Sequence, residues 1–165
     1  MLSDTPTEFI GKETDMLVSA KGRYALRVMA ELASHDSAEY IPLKDMSDRQ
    51  GISRKFLESI MTSLAKSGLV DSVSGKNGGY RLCRPPEKYN VGEILEAVEG
   101  TLEPAACTGE DEKKCVRTDM CCTFRFWKQL SEHINSFLFS YTLDELVNGT
   151  DCKTEIIKEN NNDGQ

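Results

Sequence analysis

Apolar positions along the chain change period twice, and those changes divide it into elements. From Ser19 onward Tyr24, Leu26, Val28, Met29, Leu32 and Ala33 keep an apolar stripe at helical spacing, which predicts a first helix. The polar stretch SHDSAEYIP ends it. Leu43 to Gln50 forms a short second helix with Leu43 and Met46 inward. In the GIS that follows, Gly51 takes positive φ at a helix end, Ile52 plugs the core and Ser53 caps the next helix. That helix, Arg54 to Ser67, places Phe56, Leu57, Ile60, Met61 and Leu64 on its buried side. Arg54, Lys55, Glu58, Ser59, Thr62 and Lys66 stand on the other side, and Gly68 closes the helix. Helix, tight glycine turn and capped helix together make a helix-turn-helix pattern.

The period then shortens to two. GLVDSVSGKNGGYRLCRPP reads as two strands joined by a glycine-rich hairpin, with Leu69, Val70 and Val73 going out and Tyr80 and Leu82 returning. A hairpin directly after a helix-turn-helix is a wing. Its small basic loop reaches the minor groove while the preceding helix enters the major groove. Lys76 and Arg81 supply charge there, and Gly75, Gly78 and Gly79 allow close backbone approach to phosphate.

Helical spacing returns at Val91 to Glu99, with Ile94, Leu95 and Val98 inward, and again at Thr123 to Ser140. In the second of these, Phe124, Trp127, Leu130, Ile134, Phe137, Leu138 and Tyr141 form one stripe, too apolar for a helix standing alone in water. It must bury against its own domain or against a second copy, and a small winged helix reading a near-palindromic site favours the second copy. Thr142 and Glu145 of TLDE offer a capping box for a last short helix with Leu143, Leu146 and Val147.

The expected architecture is mostly α with a small β-hairpin: a winged helix-turn-helix domain plus a long C-terminal dimerisation helix. Its expected segments are a disordered arm over 1–15, the winged-helix domain over 16–86 and a connecting helix over 87–106. A cysteine loop over 107–122, the dimerisation and last helices over 123–148 and a frayed tail over 149–165 complete it.

Charge sharpens this division. The 165 residues carry a net charge of −7, which by itself argues against nucleic acid. From Leu17 to Arg84, however, 11 Lys/Arg stand against 7 Asp/Glu, a net of +4; the remainder holds 9 against 20, a net of −11. The segment with the helix-turn-helix pattern is the basic one, so an acidic whole does not exclude DNA. The start of the chain lacks the basic and apolar regions of a signal peptide, and no apolar run spans a bilayer, so a cytosolic location is expected. Thiols are kept reduced there, and six cysteines then read better as ligands or redox sensors than as staples.

Four of the six lie in CTGEDEKKCVRTDMCC, where seven residues separate Cys107 from Cys115, five separate Cys115 from Cys121, and Cys122 is adjacent. Structural zinc sites pair cysteines more closely, and neither His35 nor His133 lies in the loop. Widely spaced thiolates on a polar loop suit an iron–sulfur cluster, which also gives the loop a reason to be ordered.

In SAKGRYALRVMAELA, IPLKDMSDRQGISRKFLESIMTSLAKSGLVDSVSGKNGGYRL, VGEILEAVEG and CCTFRFWKQLSEHINSFLFSYTLDELV the chain resembles the family of bacterial winged-helix transcription regulators that includes IscR, NsrR and CymR. The match runs in order from about Met16 to Val147. The resemblance implies a winged-helix homodimer that acts on promoters. Aligned on Trp127, it implies Cys107, Cys115 and Cys121 as ligands of a [2Fe-2S] or [4Fe-4S] cluster. The chain departs from its relatives at the fourth ligand: Phe124 stands where the iron–sulfur assembly regulator has histidine, and Arg23 where the nitric-oxide-sensing branch has aspartate. Cys122 is the nearest substitute and Asp119 a weaker one. In the wing, Ser74 stands where an arginine is common, and Glu58 matches a position that tunes base preference.

The resulting expectation is a cytosolic regulator that is not an enzyme and binds double-stranded DNA as a homodimer. Lys21, Arg23, Arg54, Lys55, Lys76 and Arg81 would contact phosphates, with Gly75 allowing close approach. Ser53, Arg54, Glu58 and Ser59 would reach toward bases. A cluster-free member of the same family, controlled by thiol oxidation or by binding a cysteine-biosynthesis enzyme, is the alternative. No Ser/His/Asp set, phosphate-binding glycine loop or HExxH supports catalysis.

Overall fold

A computed structural model describes residues 18–75, 78–108 and 118–149. The N-terminal arm, nearly all of the tail, Lys76 and Cys115 lie outside the described residues.

Helix α1 (Ala20–Ala33) begins at a doubly served cap. The Ser19 hydroxyl accepts from Lys21 N at 3.0 Å, while Glu99 Oε1 accepts from Ser19 N (2.9 Å), Ser19 Oγ (2.7 Å) and Gly22 N (2.8 Å). A carboxylate at that end also faces the positive pole of the helix. Val28, Met29 and Leu32 are buried as the spacing predicts, and Ala25 joins them. Tyr24 and Leu26 are only half-buried, Tyr24 meeting Phe56 edge-to-face at 5.9 Å.

Helices α2 (Leu43–Gln50) and α3 (Arg54–Lys66) form the expected corner. Gly51 sits at φ 65°, the left-handed region that a Cβ disfavours, and the Ser53 hydroxyl accepts from Phe56 N at 3.3 Å to start α3. Ser47 Oγ donates to Ile52 O across the turn at 2.6 Å. Buried Glu31 of α1 takes Arg49 Nε at 2.7 Å and the Gln50 side chain, which locks the end of α2 to α1. Leu57, Ile60, Met61 and Leu64 of α3 fill the core against α1.

Strands β1 (Val70–Val73) and β2 (Gly79–Leu82) pair antiparallel, with Asp71 opposite Arg81 and Ser72 opposite Tyr80. Ile41 bridges to Tyr80 through two 2.9 Å backbone hydrogen bonds, so the hairpin gains a third edge. A Cβ on Gly79 would fall 2.5 Å from Ile41 O, and that close approach requires glycine.

A single-turn 3-10 helix (Pro86–Lys88) leads to Tyr89, whose ring is buried and whose hydroxyl is fully used. It donates to Leu69 O (2.8 Å) and accepts from Cys83 N (2.8 Å) and Arg84 N (3.1 Å). Helix α4 (Val91–Glu99) starts from an Asn90/Glu93 capping box and buries Ile94, Leu95 and Val98. A second single-turn 3-10 helix (Thr118–Met120) precedes α5 (Phe124–Ser140). Helix α6 (Leu143–Asn148) is capped by the expected Thr142/Glu145 box. The chain returns to the N-terminal layer there: Val91 N donates to Tyr141 O at 2.8 Å and Leu143 N to Tyr89 O at 3.0 Å. Leu143 is fully buried in the same core as α1 and α3.

Helix α5 behaves differently. Phe139 packs on Gly92 of α4, where a Cβ would approach its ring to 2.5 Å. Along the expected stripe Phe124, Trp127, Leu130, Ile134 and Leu138 are half-buried, while Phe137 and Tyr141 are exposed. The only buried residue of the helix is Ser131. Contacts within the described chain therefore use only part of this apolar face.

Candidate DNA interface and cysteine loop

The sequence-predicted DNA contacts divide into free and engaged groups. Arg54, Lys55, Glu58 and Ser59 are exposed together on one face of α3, and Arg23 is exposed on α1. Ser53 is exposed but serves as the α3 cap, and Ser59 Oγ donates to Phe56 O at 2.7 Å. Lys21 is half-buried, its Nζ donating to Ser63 Oγ on α3 at 3.0 Å. Gly75 sits at φ 117° in the exposed wing turn.

Arg81 is the most engaged. Its Nε and Nη2 donate to Asp71 Oδ2 at 3.3 and 3.1 Å, and its guanidinium lies 4.4 Å from the centre of the Tyr40 ring. Tyr40 Oη donates to the same Asp71 oxygen at 2.6 Å. The Tyr40 hydrogen bond, then the Arg81 bond, hold the Asp71 carboxyl below its usual range; the same bond to Asp71 pushes the Tyr40 phenol up. Sequence reasoning missed Tyr40 and Asp71. The hairpin register, extended from the turn, would have found Asp71 opposite Arg81, but nothing local marks Tyr40.

The described ends of the cysteine loop carry three thiols, all free. Cys107 is half-buried and Cys121 and Cys122 are exposed. Cys121 Sγ lies 3.3 Å from Thr123 Oγ1, and that contact, followed by backbone N–H groups at the start of α5, lowers its pKa. His35 and His133 each direct Nδ1 at a carbonyl four residues earlier, Glu31 O at 2.8 Å and Gln129 O at 2.7 Å, as helix residues do.

A family model described as Rrf2, iron-dependent transcriptional regulator, matches residues 18–149. The chain belongs to the Rrf2 family. The HTH-type transcriptional regulator IscR of Yersinia enterocolitica is 41% identical over 148 residues, covering 90% of this chain and 88% of that protein. Among solved structures, CymR, the global cysteine regulator of B. subtilis, superposes with a TM-score of 0.65 at 30% identity, covering 81% of this chain and 98% of that one. T. potens IscR gives 0.60 at 33% identity, covering 79% and 85%. The protein is thus a transcription regulator of the IscR/Rrf2 type, with the DNA-binding fold of that family and not an enzyme's role.

IscR-type members of the family are associated with iron–sulfur clusters. The donor chemistry fits: ligating thiols must be deprotonated, and Cys121 is free, exposed and shifted toward thiolate. Among the described residues no three His, Cys, Asp or Glu side chains gather into a metal-binding group, and Cys115 lies outside them. No helix among the described residues is long and apolar enough to cross a membrane.

Proposed function

We propose that this Rrf2 protein is a cytosolic homodimer that binds duplex DNA and senses redox state, iron or nitric oxide through an iron–sulfur cluster. Cys107, Cys115 and Cys121 hold the cluster, with Cys122 available as a further ligand. The observation that carries the DNA half is the exposed row Arg54, Lys55, Glu58 and Ser59 on a capped, core-anchored helix directly before a hairpin. Two such helices in a dimer meet successive major grooves about 34 Å apart. Glu58 there accepts from cytosine N4 or repels phosphate when the helix is misplaced. Self-association is supported by the unspent apolar side of α5, where Phe126 is 59% and Phe137 64% exposed.

When bound, an iron–sulfur cluster would supply redox-active, thiolate-ligated iron at Cys107, Cys115 and Cys121. The chain's own hydrogen bonds link the segment before Cys107 to the DNA-binding layer. Ser131 Oγ of α5 donates to Glu103 Oε2 at 2.5 Å, in the segment leading to Cys107. Glu99, four residues before Glu103, caps α1, and Lys21 of α1 reaches Ser63 of α3.

The test is anaerobic reconstitution with iron and sulfide, followed by DNA titration at several salt concentrations. Coloured protein with bound iron and sulfide, bleached by Cys107→Ala, Cys115→Ala or Cys121→Ala, is expected. Affinity should fall steeply with salt as counterions are released. Colourless protein without iron ends the cluster reading, and salt-insensitive binding ends the DNA reading. A second reading, cluster-free thiol control, is favoured by the lowered pKa of exposed Cys121 and by the similarity to CymR. A disulfide that forms under oxidant in protein unable to take up iron would select it.

A further inference from the structure

The hairpin carries a three-residue clasp that the DNA-contact pattern does not explain. Asp71 on β1 faces Arg81 on β2, and Tyr40 comes from the segment that bridges to β2 through Ile41 and Tyr80. The Tyr40 side chain thus passes across β2, beneath the Arg81 guanidinium, to reach β1. One carboxylate oxygen, Asp71 Oδ2, receives all three donors: Tyr40 Oη, Arg81 Nε and Arg81 Nη2. A phenol ring on one face and a carboxylate at the edge of the guanidinium leave it poorly placed to serve a phosphate as well.

Its neighbour in the strand shows what the clasp orients. Side chains alternate across a strand, so Tyr80 points to the face opposite Arg81. Tyr80 is half-buried and packs against the core shared by α1, α3 and the hairpin. The angle at which β2 leaves the Ile41 bridge therefore sets the orientation of the wing turn. The clasp fixes that angle on one side and the core fixes it on the other.

We infer that Arg81 is a wing-positioning residue rather than a phosphate contact, and that Tyr40 and Asp71 act with it to hold the hairpin in its DNA-reading orientation. The inference rests on the DNA-binding reading above. It also makes opposite predictions from a direct phosphate contact. If Arg81 met phosphate, Asp71→Asn would free it and remove a repelling charge, tightening the complex. Arg81→Lys would then keep most of the affinity, because an ammonium serves a phosphate as a point charge.

The test uses the full-length protein and a duplex selected by the wild type from a randomised pool. Kd is measured against salt for Asp71→Asn, Tyr40→Phe, Arg81→Lys, Arg81→Gln and the Asp71→Asn/Arg81→Lys pair. Each single variant is expected to weaken binding about twofold to fivefold, the range of an exposed ion pair. Arg81→Gln, which removes the charge that Arg81→Lys keeps, should leave the slope of log Kd against log salt at the wild-type value, whereas a lost phosphate contact lowers it by about 0.9. The double variant should be no weaker than Arg81→Lys alone, since the two changes break one interaction. Melting temperatures close to the wild type separate positioning from unfolding. Tighter binding by Asp71→Asn, near-wild-type affinity for Arg81→Lys, or a reduced slope for Arg81→Gln overturns the clasp and restores Arg81 as a contact. If the wild type selects no duplex, the DNA-binding reading itself fails and the clasp loses its purpose.

Discussion

Helices α3 and α5 have similarly strong apolar stripes, yet they spend them differently. Helix α3 buries Leu57, Ile60, Met61 and Leu64 completely against α1, and leaves a polar face for solvent or DNA. Helix α5 is longer and richer in aromatic residues, but only Ser131 is buried, and Phe126, Phe137 and Phe139 remain exposed. An apolar stripe therefore does not say where it will be buried. In α3 the partner is in the same chain; in α5 only Phe139 and its half-buried neighbours find one, on α4. On the proposed dimer, the uncovered part of the α5 face would pack against a second copy.

The contrast can be tested from its strongest side downward. Leu57→Ala empties a fully buried site in the reader and should cost about 2–5 kcal/mol, measured by urea unfolding. A loss below that range would mean that the α3 core is less tightly packed than its burial implies. Gly92→Ala forces a methyl against the Phe139 ring, the point where α5 is anchored to α4. Overpacking of this kind costs about 1–3 kcal/mol, and the ring should move, read as loss of near-UV circular dichroism.

Phe137→Ala removes an exposed ring, so far-UV circular dichroism at high protein concentration should be unchanged. On the proposed dimer it should weaken self-association by roughly 1–2 kcal/mol, about tenfold or somewhat more, in sedimentation equilibrium. An unmoved monomer–dimer equilibrium would place the interface elsewhere. The smallest effect concerns pH. The Asp71 carboxyl is held below its unfolded value by Tyr40 and Arg81, so its contribution to stability is present above the ordinary carboxylate range. It is lost as pH falls through the lower folded-state value. The melting temperature of Asp71→Asn should accordingly show a shallower acid dependence than that of the wild type.

Much of the candidate site was legible because it depends on local chemistry. Ser53 as a cap, Gly51 at positive φ, the capping box at Thr142 and Glu145, and the exposed row on α3 follow from side-chain types a few residues apart. Helix α2 and helix α4 begin and end where their periodicity and caps predict. What the sequence leaves unread has one cause. Leu143 lies in the expected last helix, but its side chain fills the N-terminal core, which its sequence neighbours do not indicate. Arg81 is expected from the sequence as a phosphate contact, and its partners Asp71 and Tyr40, ten and forty-one residues away, are brought to it only by strand pairing and the Ile41 bridge. Glu99 ends α4 as expected and in addition caps a helix whose start lies eighty residues earlier.

The sequence by itself determined the periods, caps and turns, and with them the helix-turn-helix, the wing, the cysteine spacing and the family. These are encoded in interactions within one or two helical turns, or in direct strand alternation, which need no knowledge of the rest of the fold. Only the tertiary structure decided which charges are spent and which are free. Pairing Arg81 with Asp71, Glu31 with Arg49, and Glu99 with the start of α1 depends on distances between elements that packing alone sets.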